Sequence, residues 1–208
     1  MRFEVGRVVL ELSDSSSVYS PSDDTQMLAE AAIAQVGPSS SILEIGTGSG
    51  AVIISLAKSG RKFSSLVAVD ISLEAIKTAR ANAKKNGVPA RAVQFLQSDL
   101  FSSLSVSSRF DFILFNPPYL PTKNTDKVRG SLNLALDGGR DGLKTVRPFL
   151  AKAKKHLALN GRILLVVSSL QPKDKLEALL QKNHLSYRSL SSQSFFFEQL
   201  EIWELCVR

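Results

Sequence analysis

Two periods take turns along this chain. Residues 3–12 switch between apolar and polar at nearly every step, the pattern of a strand or hairpin arm. A loop rich in Ser and Asp follows, then helical spacing over 23–35, with Ser22 placed to cap it. The apolar run 41–45 predicts a strand and 51–58 a helix; 65–70 and 72–86 repeat the pair. The second of these helices stops at Asn86-Gly87, with Pro89 just beyond. Further strands are expected over 91–97, 110–115 and 162–168, and helices over 142–157 and 173–183. Two runs, 185–196 and 199–207, close the chain.

Strands alternating with helices predict an α/β fold with a parallel, doubly wound sheet. No internal repeat or linker interrupts the pattern, so residues 1–208 are expected to form one domain, with a strand, loop and entry helix over 1–36. The longest stretch without either period is 116–141, and loops that long in a compact domain are commonly functional or disordered. Composition then narrows the class. A chain of 208 residues buries about 70% of its unfolded surface. Its 44% hydrophobic and 22% charged residues suit a soluble globular protein. No apolar stretch reaches membrane-spanning length, and Met1-Arg2-Phe3-Glu4 does not open a signal peptide. The lone Cys206 has no disulfide partner within the chain and belongs to no metal-ligand cluster; it is expected as a small core residue. A cytoplasmic protein with no membrane contact and no bound metal is expected.

The candidate chemistry sits at strand ends. The strand over 41–45 feeds directly into Gly46-Thr47-Gly48-Ser49-Gly50 and then into a helix. Strand, glycine turn and helix bring backbone close to a nucleotide-like ligand at a helix N-terminus. The next strand ends in Asp70, twenty residues beyond Gly50, where an acid is placed to accept from ribose hydroxyls. The spacing is G-x-G-x-G, one residue short of the dinucleotide fingerprint.

The run 110–115 is followed by Asn116-Pro117-Pro118-Tyr119. Two consecutive prolines donate no backbone hydrogen bond and hold a narrow φ. Such a turn presents carbonyl acceptors, an Asn side chain and an aromatic ring at the mouth of a buried strand. The Asn116 side-chain oxygen and the Pro117 carbonyl can together take both hydrogens of one planar NH2 group, with Tyr119 packed on it. The plainer reading is a proline turn that ends a strand.

Taken together, Leu43-Glu44-Ile45-Gly46-Thr47-Gly48-Ser49-Gly50, Asp70-Ile71, Ser98-Asp99-Leu100 and Phe115-Asn116-Pro117-Pro118-Tyr119 resemble a Rossmann-like, class I S-adenosylmethionine-dependent methyltransferase. Within that class they resemble the HemK/PrmC-like branch, which methylates N5 of the glutamine in the Gly-Gly-Gln motif of peptide-chain release factors. Val18-Tyr19-Ser20-Pro21-Ser22-Asp23-Asp24-Thr25 is similar to the Tyr-x-Pro-x-Glu-Asp-Thr entry of the short archaeal and eukaryotic members, with Asp23 where Glu is usual. Leu136-Asp137-Gly138-Gly139-Arg140-Asp141-Gly142 matches their glycine-rich run. The resemblance spans roughly residues 18 to 170. It implies a seven-stranded sheet, mostly parallel with an antiparallel C-terminal strand, helices on both faces, and 116–141 on the substrate side.

The resemblance also implies roles. Asn116, Pro117, Pro118 and Tyr119 form the catalytic turn, with Asn116, Pro117 and Tyr119 binding substrate. Gly46, Thr47, Gly48 and Gly50 approach the cofactor's methionine and ribose, and Glu44 its amino group. Asp70 holds the ribose hydroxyls, Ile71 lies on adenine, and Asp99 with the Leu100 N–H meets the adenine edge. Thr25 contacts the carboxylate end, and Asn116 borders the cofactor as well. The product is S-adenosylhomocysteine. Taken singly, Glu44 and Asp70 read equally as helix caps and Asp99 as an exposed loop acid. His156 and His184 read as structural or solvent-facing.

Acceptor and partners stay open. The same turn serves enzymes that methylate N6 of adenine or N2 of guanine in RNA or flipped-out DNA bases, so a nucleic-acid methyltransferase is the alternative. An inactive cofactor-binding scaffold and a nicotinamide dehydrogenase fit less of the pattern. The net charge of +7 and a pI near 9.6 suit an acidic partner or RNA. Lys123, Lys127, Arg129, Arg140, Lys144 and Arg147, then Lys152, Lys154 and Lys155, read either as a docking surface or as a solvated face. The short branch works with a small zinc-binding activator subunit added to the sheet edge. Here that edge is expected at the third strand, with Val93 and Phe95 as contacts or as ordinary packing beneath a helix.

Overall fold

A computed structural model of the chain describes residues 1–13, 18–122 and 136–208. An N-terminal hairpin pairs β1 (Arg2–Val5) with β2 (Val8–Glu11) in a separate two-stranded sheet. The main sheet has seven strands: β3 (Ser41–Ile45), β4 (Ser65–Asp70), β5 (Gln94–Gln97), β6 (Phe110–Phe115), β7 (Leu157–Ser168), β8 (Leu185–Ser194) and β9 (Gln199–Val207). Their spatial order is β5-β4-β3-β6-β7-β9-β8. Pairing is parallel from β5 through β7, and β9 runs antiparallel to both β7 and β8. The helices are α1 (Asp23–Gln35), α2 (Ala51–Ala57), α3 (Leu73–Lys85), α4 (Val146–Ala153) and α5 (Lys173–Lys182).

Period-2 patterning gives the sheet two apolar faces, and each has its own core. Ile42, Leu114, Leu164 and Ile202 pack beneath α1, α2 and α3. Leu43, Ile113, Ile163 and Trp203 pack on the other side beneath α4 and α5. The hairpin closes the first core because α3 offers it a substitute ladder. Asn86 accepts from the Val9 N–H (3.0 Å) and donates to the Val9 carbonyl (2.6 Å), and Asn82 accepts from the Glu11 N–H (2.9 Å). No helix among the described residues is long and apolar enough to cross a membrane.

The departures from expectation have local causes. β5 begins at Gln94 because Pro89 starts a turn, with the Ala92 N–H on the Pro89 carbonyl (2.8 Å). α4 begins at Val146, four residues late, because Gly142 turns at φ +69°. β7 begins at Leu157 and carries an irregularity opposite Phe110 and Phe112. Ser22 sits at the start of α1 without a side-chain cap bond, and Asp23 and Asp24 in the first turn face the helix dipole instead. Cys206 is exposed, contrary to the core placement expected of it. Ile202, Glu204 and Cys206 share one face of β9; the first two are buried, and Cys206 lies beyond them, out beside Ser186.

Candidate active site

The loops that leave the carboxyl ends of β3, β4, β5 and β6 surround a cavity of ≈ 330 Å3, the place where open α/β sheets bind ligands. Glu44, near the end of β3, is buried and accepts from the Thr47 hydroxyl at 2.6 Å. Burial pushes its carboxyl up to about 8, with the neighbouring Asp70 charge adding to the effect. Asp70 closes the glycine loop onto β4, taking the Gly48 N–H on one oxygen and the Ser72 N–H on the other, both at 2.9 Å. Burial raises its carboxyl too, and those backbone donors oppose the rise. Ile71, half exposed at 49%, presents an apolar shelf beside it. Asp99 and Leu100 form the far rim, where Leu100 turns at φ +52°.

Thr25 lines the same cavity from α1, with both its N–H (2.6 Å) and its hydroxyl (3.1 Å) on one oxygen of Asp24. Gly46, Thr47 and Gly48 line it as well, and Asn116, Pro117, Pro118 and Tyr119 form its β6 side. Gly50 is absent from the wall. It starts α2 at φ +84°, where a Cβ would lie 2.9 Å from Ile54 and 3.0 Å from Ala79. Its work is the close approach of α2 to α3.

Asn116 carries an unusual atom. Among the described residues its Oδ1 is the buried side-chain oxygen that has no hydrogen-bond partner. Leaving such an acceptor unmet costs about 1–3 kcal/mol, so the turn is built around something absent from the chain itself. The glycine-rich run braces the turn from behind. Gly138 N–H donates to the Leu120 carbonyl (3.0 Å), and Thr122 N–H to the Gly139 carbonyl (2.8 Å). Gln171 donates to the Gly142 carbonyl (2.7 Å).

Asp24 was not among the residues expected to work here. It is buried, and it takes the hydroxyls of both Tyr19 and Tyr119 at 3.2 Å on a single oxygen. Burial, then the Asp24 charge, pushes both phenols upward. Its neighbour Asp23, the position where the entry motif usually has Glu, points to solvent. The signal for Asp24 lay in the entry segment, where it directly precedes Thr25.

The cavity is acidic although the chain is basic. Asp24, Glu44, Asp70, Asp99 and Asp137 line it against one lysine among the described residues, Lys144, whose Nζ is spent on Asp137 at 2.9 Å. Such a wall favours a cationic ligand with hydroxyl and amino donors. Among the described residues, the cations that read either as a docking surface or as a solvated face do not form one cluster. Arg147 pairs with Asp141 (2.5 Å), which it holds down at about 2. Lys152, Lys154 and Lys155 sit where α4 leads into the start of β7, at the opposite end of the sheet. Arg140 is exposed; Lys123, Lys127 and Arg129 lie outside the described residues. His156 is buried, stacked on Phe101 (4.7 Å) with Nδ1 at 3.2 Å from the Ser108 carbonyl, and His184 is an exposed turn residue.

The seven-stranded sheet, with its one antiparallel strand, is that of a class I methyltransferase. A family model for the methyltransferase small domain matches residues 11–132. The chain is 38% identical over 170 residues to a protein of Methanocaldococcus jannaschii provisionally named as a protein N5-glutamine methyltransferase, covering 82% of this chain and 81% of that one. It therefore belongs to the methyltransferase small-domain family and is a methyltransferase. It is also 37% identical to the release factor glutamine methyltransferase of Moorella thermoacetica, over 77% of this chain and 58% of that protein, and so spans little more than half of that relative. Among solved structures, the fold is similar to the E. cuniculi Mtq2–Trm112 complex, described as methylating the translation termination factor eRF1 (TM-score 0.70, 21% identity, 93% and 100% coverage). It is equally similar to the T. thermophilus 16S rRNA N2 G1207 methyltransferase in complex with AdoMet and guanosine (0.71, 21%, 100% and 50%).

Proposed function

We propose that this methyltransferase transfers a methyl group from S-adenosylmethionine to the side-chain amide nitrogen, N5, of the glutamine in the Gly-Gly-Gln motif of a peptide-chain release factor. The observation that carries the reading is the buried, unpartnered Oδ1 of Asn116. An amide nitrogen is a poor nucleophile because its lone pair is shared with the carbonyl. With one N–H on Asn116 Oδ1 and the other on the Pro117 carbonyl, the NH2 group is oriented, and both acceptors bind more strongly as positive charge grows on nitrogen. Tyr119 flanks the planar group. The lone pair forms the N–C bond as the C–S bond breaks toward sulfur, and the nitrogen then sheds its proton to solvent. No strong base is needed, because the methylated amide nitrogen is acidic until that proton leaves.

The cofactor fits the cavity by charge and by donor set. When bound, S-adenosylmethionine supplies a methyl carbon on a positively charged sulfur and leaves as S-adenosylhomocysteine. Glu44 would face its ammonium and Asp70 its ribose hydroxyls, with Ile71 as the adenine shelf. Asp99 and Leu100 would take the adenine edge; Thr25, Gly46, Thr47 and Gly48 would frame the methionine. The relatives named for glutamine methylation support the choice of acceptor. By likeness to the Mtq2–Trm112 pair, a small activator subunit would add to β5, one of the two edge strands of the sheet. The contact there is through backbone, since Val93 and Phe95 are buried in the core under α3.

The test is transfer of labelled methyl to a purified release factor, its Gln→Ala tip variant and total RNA. Label on the intact factor alone supports glutamine methylation. Label on RNA alone moves the chain to the exocyclic-amine enzymes.

A further inference from the structure

The β8–β9 hairpin ends in Phe195-Phe196-Phe197-Glu198, and two of these rings stand in water. Phe196 is 93% exposed and Phe197 85%, packed edge to face on each other with centroids 4.6 Å apart. Tight turns ordinarily carry Gly, Asn, Asp or Pro at their centre. Here two aromatic residues occupy it, closed by the Phe195 N–H on the Glu198 carbonyl at 2.7 Å. The base is fastened on both sides. Phe195 packs on the core, and the Ser168 hydroxyl donates to Glu198 at 2.7 Å.

Topology sets this tip beside the active site. Leu200 of β9 pairs with Ser168 at the carboxyl end of β7, and Leu165 of β7 pairs with Phe115, the residue before Asn116. The tip therefore projects from the same end of the sheet as the Asn116 turn. The Glu198 charge reaches far enough to act on both Tyr19 and Tyr119.

We infer that Phe196 and Phe197 are a docking point for the protein that presents its amide to Asn116, seating in an apolar depression beside that protein's methylated segment. This rests on the protein-acceptor reading above. Exposed aromatics next to a site are the kind of residue that dominates protein interfaces. Charge argues for protein over nucleic acid. Residues 189–201 contain no Lys or Arg and two Glu, in a chain of net charge +7, so the tip does not attract phosphate.

The experiment compares wild type with a Phe196→Ser/Phe197→Ser double variant on the intact release factor and on a short peptide carrying its Gly-Gly-Gln segment. Expected is a rise of about tenfold or more in KM for the intact factor, with kcat, peptide KM and S-adenosylmethionine affinity unchanged. Equal KM for the intact factor in both proteins overturns the docking point while leaving glutamine methylation standing. Wild-type transfer to RNA and not to the factor overturns the acceptor reading and this partner with it. A wild-type dimer that the substitutions dissolve, with KM unmoved, assigns the tip to self-association and overturns the inference.

Discussion

Tyr119 donates its phenolic hydrogen bond to Asp24 at 3.2 Å, across 95 residues of sequence, and Tyr19 donates to the same oxygen. One carboxylate thereby joins the start of α1 to the Asn116 turn. Tyr119→Phe removes one donor and leaves Asp24 with the other, a cost of about 1–2 kcal/mol. Asp24→Ala strands two partly buried phenols at once and is expected to cost more than Tyr119→Phe and Tyr19→Phe added together. Urea unfolding of the three single variants and the double phenylalanine variant measures it. Simple additivity would mean that the shared oxygen does not couple the two rings.

Asn116 should show function and stability pulling apart. Its Oδ1 has no partner within the chain, so Asn116→Ala strands no donor and is expected to stabilise by about 1 kcal/mol. The same change takes away one of two acceptors that strengthen in the transition state, a loss of about 100-fold or more in kcat. Calorimetry should give a higher Tm, with S-adenosylmethionine still bound. A lower Tm would show that the oxygen already has a partner in solution.

Glu44 makes stability depend on pH. Its folded value of about 8 lies above the ordinary 4.5, because burial disfavours the charge. The folded state therefore holds a proton that the unfolded state has lost. The stabilisation is full below about pH 4.5 and falls as pH rises toward 8. Asp70 is shifted in the same direction and adds to the fall. Glu44→Gln should flatten the decline, so that its Tm passes wild type as pH is raised from 5 to 8. An ammonium placed against Glu44 reverses its preference. Binding of S-adenosylmethionine near pH 7 should then release close to one proton, read as a dependence of binding heat on buffer ionisation enthalpy, and the Gln variant should release less.

Features that depend on near neighbours were legible before the structure. The glycine loop, Asp70 and the Asn116 turn each lie at the end of an apolar run, and the 2.0 and 3.6 periods locate those ends. The parallel core and the antiparallel last strand followed from the same pattern together with the family resemblance. What was not legible depends on pairs far apart in the chain. Asp24 looks like an ordinary first-turn acid until Tyr119 is folded onto it. Gly50 looks like a ligand-loop glycine until α3 brings Ala79 to it. Lys152, Lys154 and Lys155 follow the Asn116 turn in sequence, yet α4 carries them to the opposite end of the sheet. Cys206 depends on where the cover over its face of β9 ends, beyond the buried Ile202 and Glu204, which a run of apolar residues does not reveal.

Gly142 links the glycine-rich run to catalysis without touching a ligand. It turns at φ +69°, and a Cβ there would lie 2.3 Å from the Tyr119 carbonyl oxygen and 2.9 Å from Gln171. Neither neighbour can yield freely. The Tyr119 carbonyl belongs to the turn that holds Asn116, and Gln171 is buried with its amide on the Gly142 carbonyl. Gly142→Ala therefore combines a left-handed strain of about 1–2 kcal/mol with an overpacking cost of about 1–3 kcal/mol. The strain is relieved most directly by displacing the turn, which moves Asn116 and Pro117 off the amide. The variant should lose about 2–5 kcal/mol of stability and lower kcat, while S-adenosylmethionine still binds to the loops after β3 and β4. Gly6→Ala, at φ +56° with nothing within 4 Å, supplies the control for left-handed strain alone. Comparable losses of stability and kcat in the two variants would show that the approach to Tyr119 adds nothing.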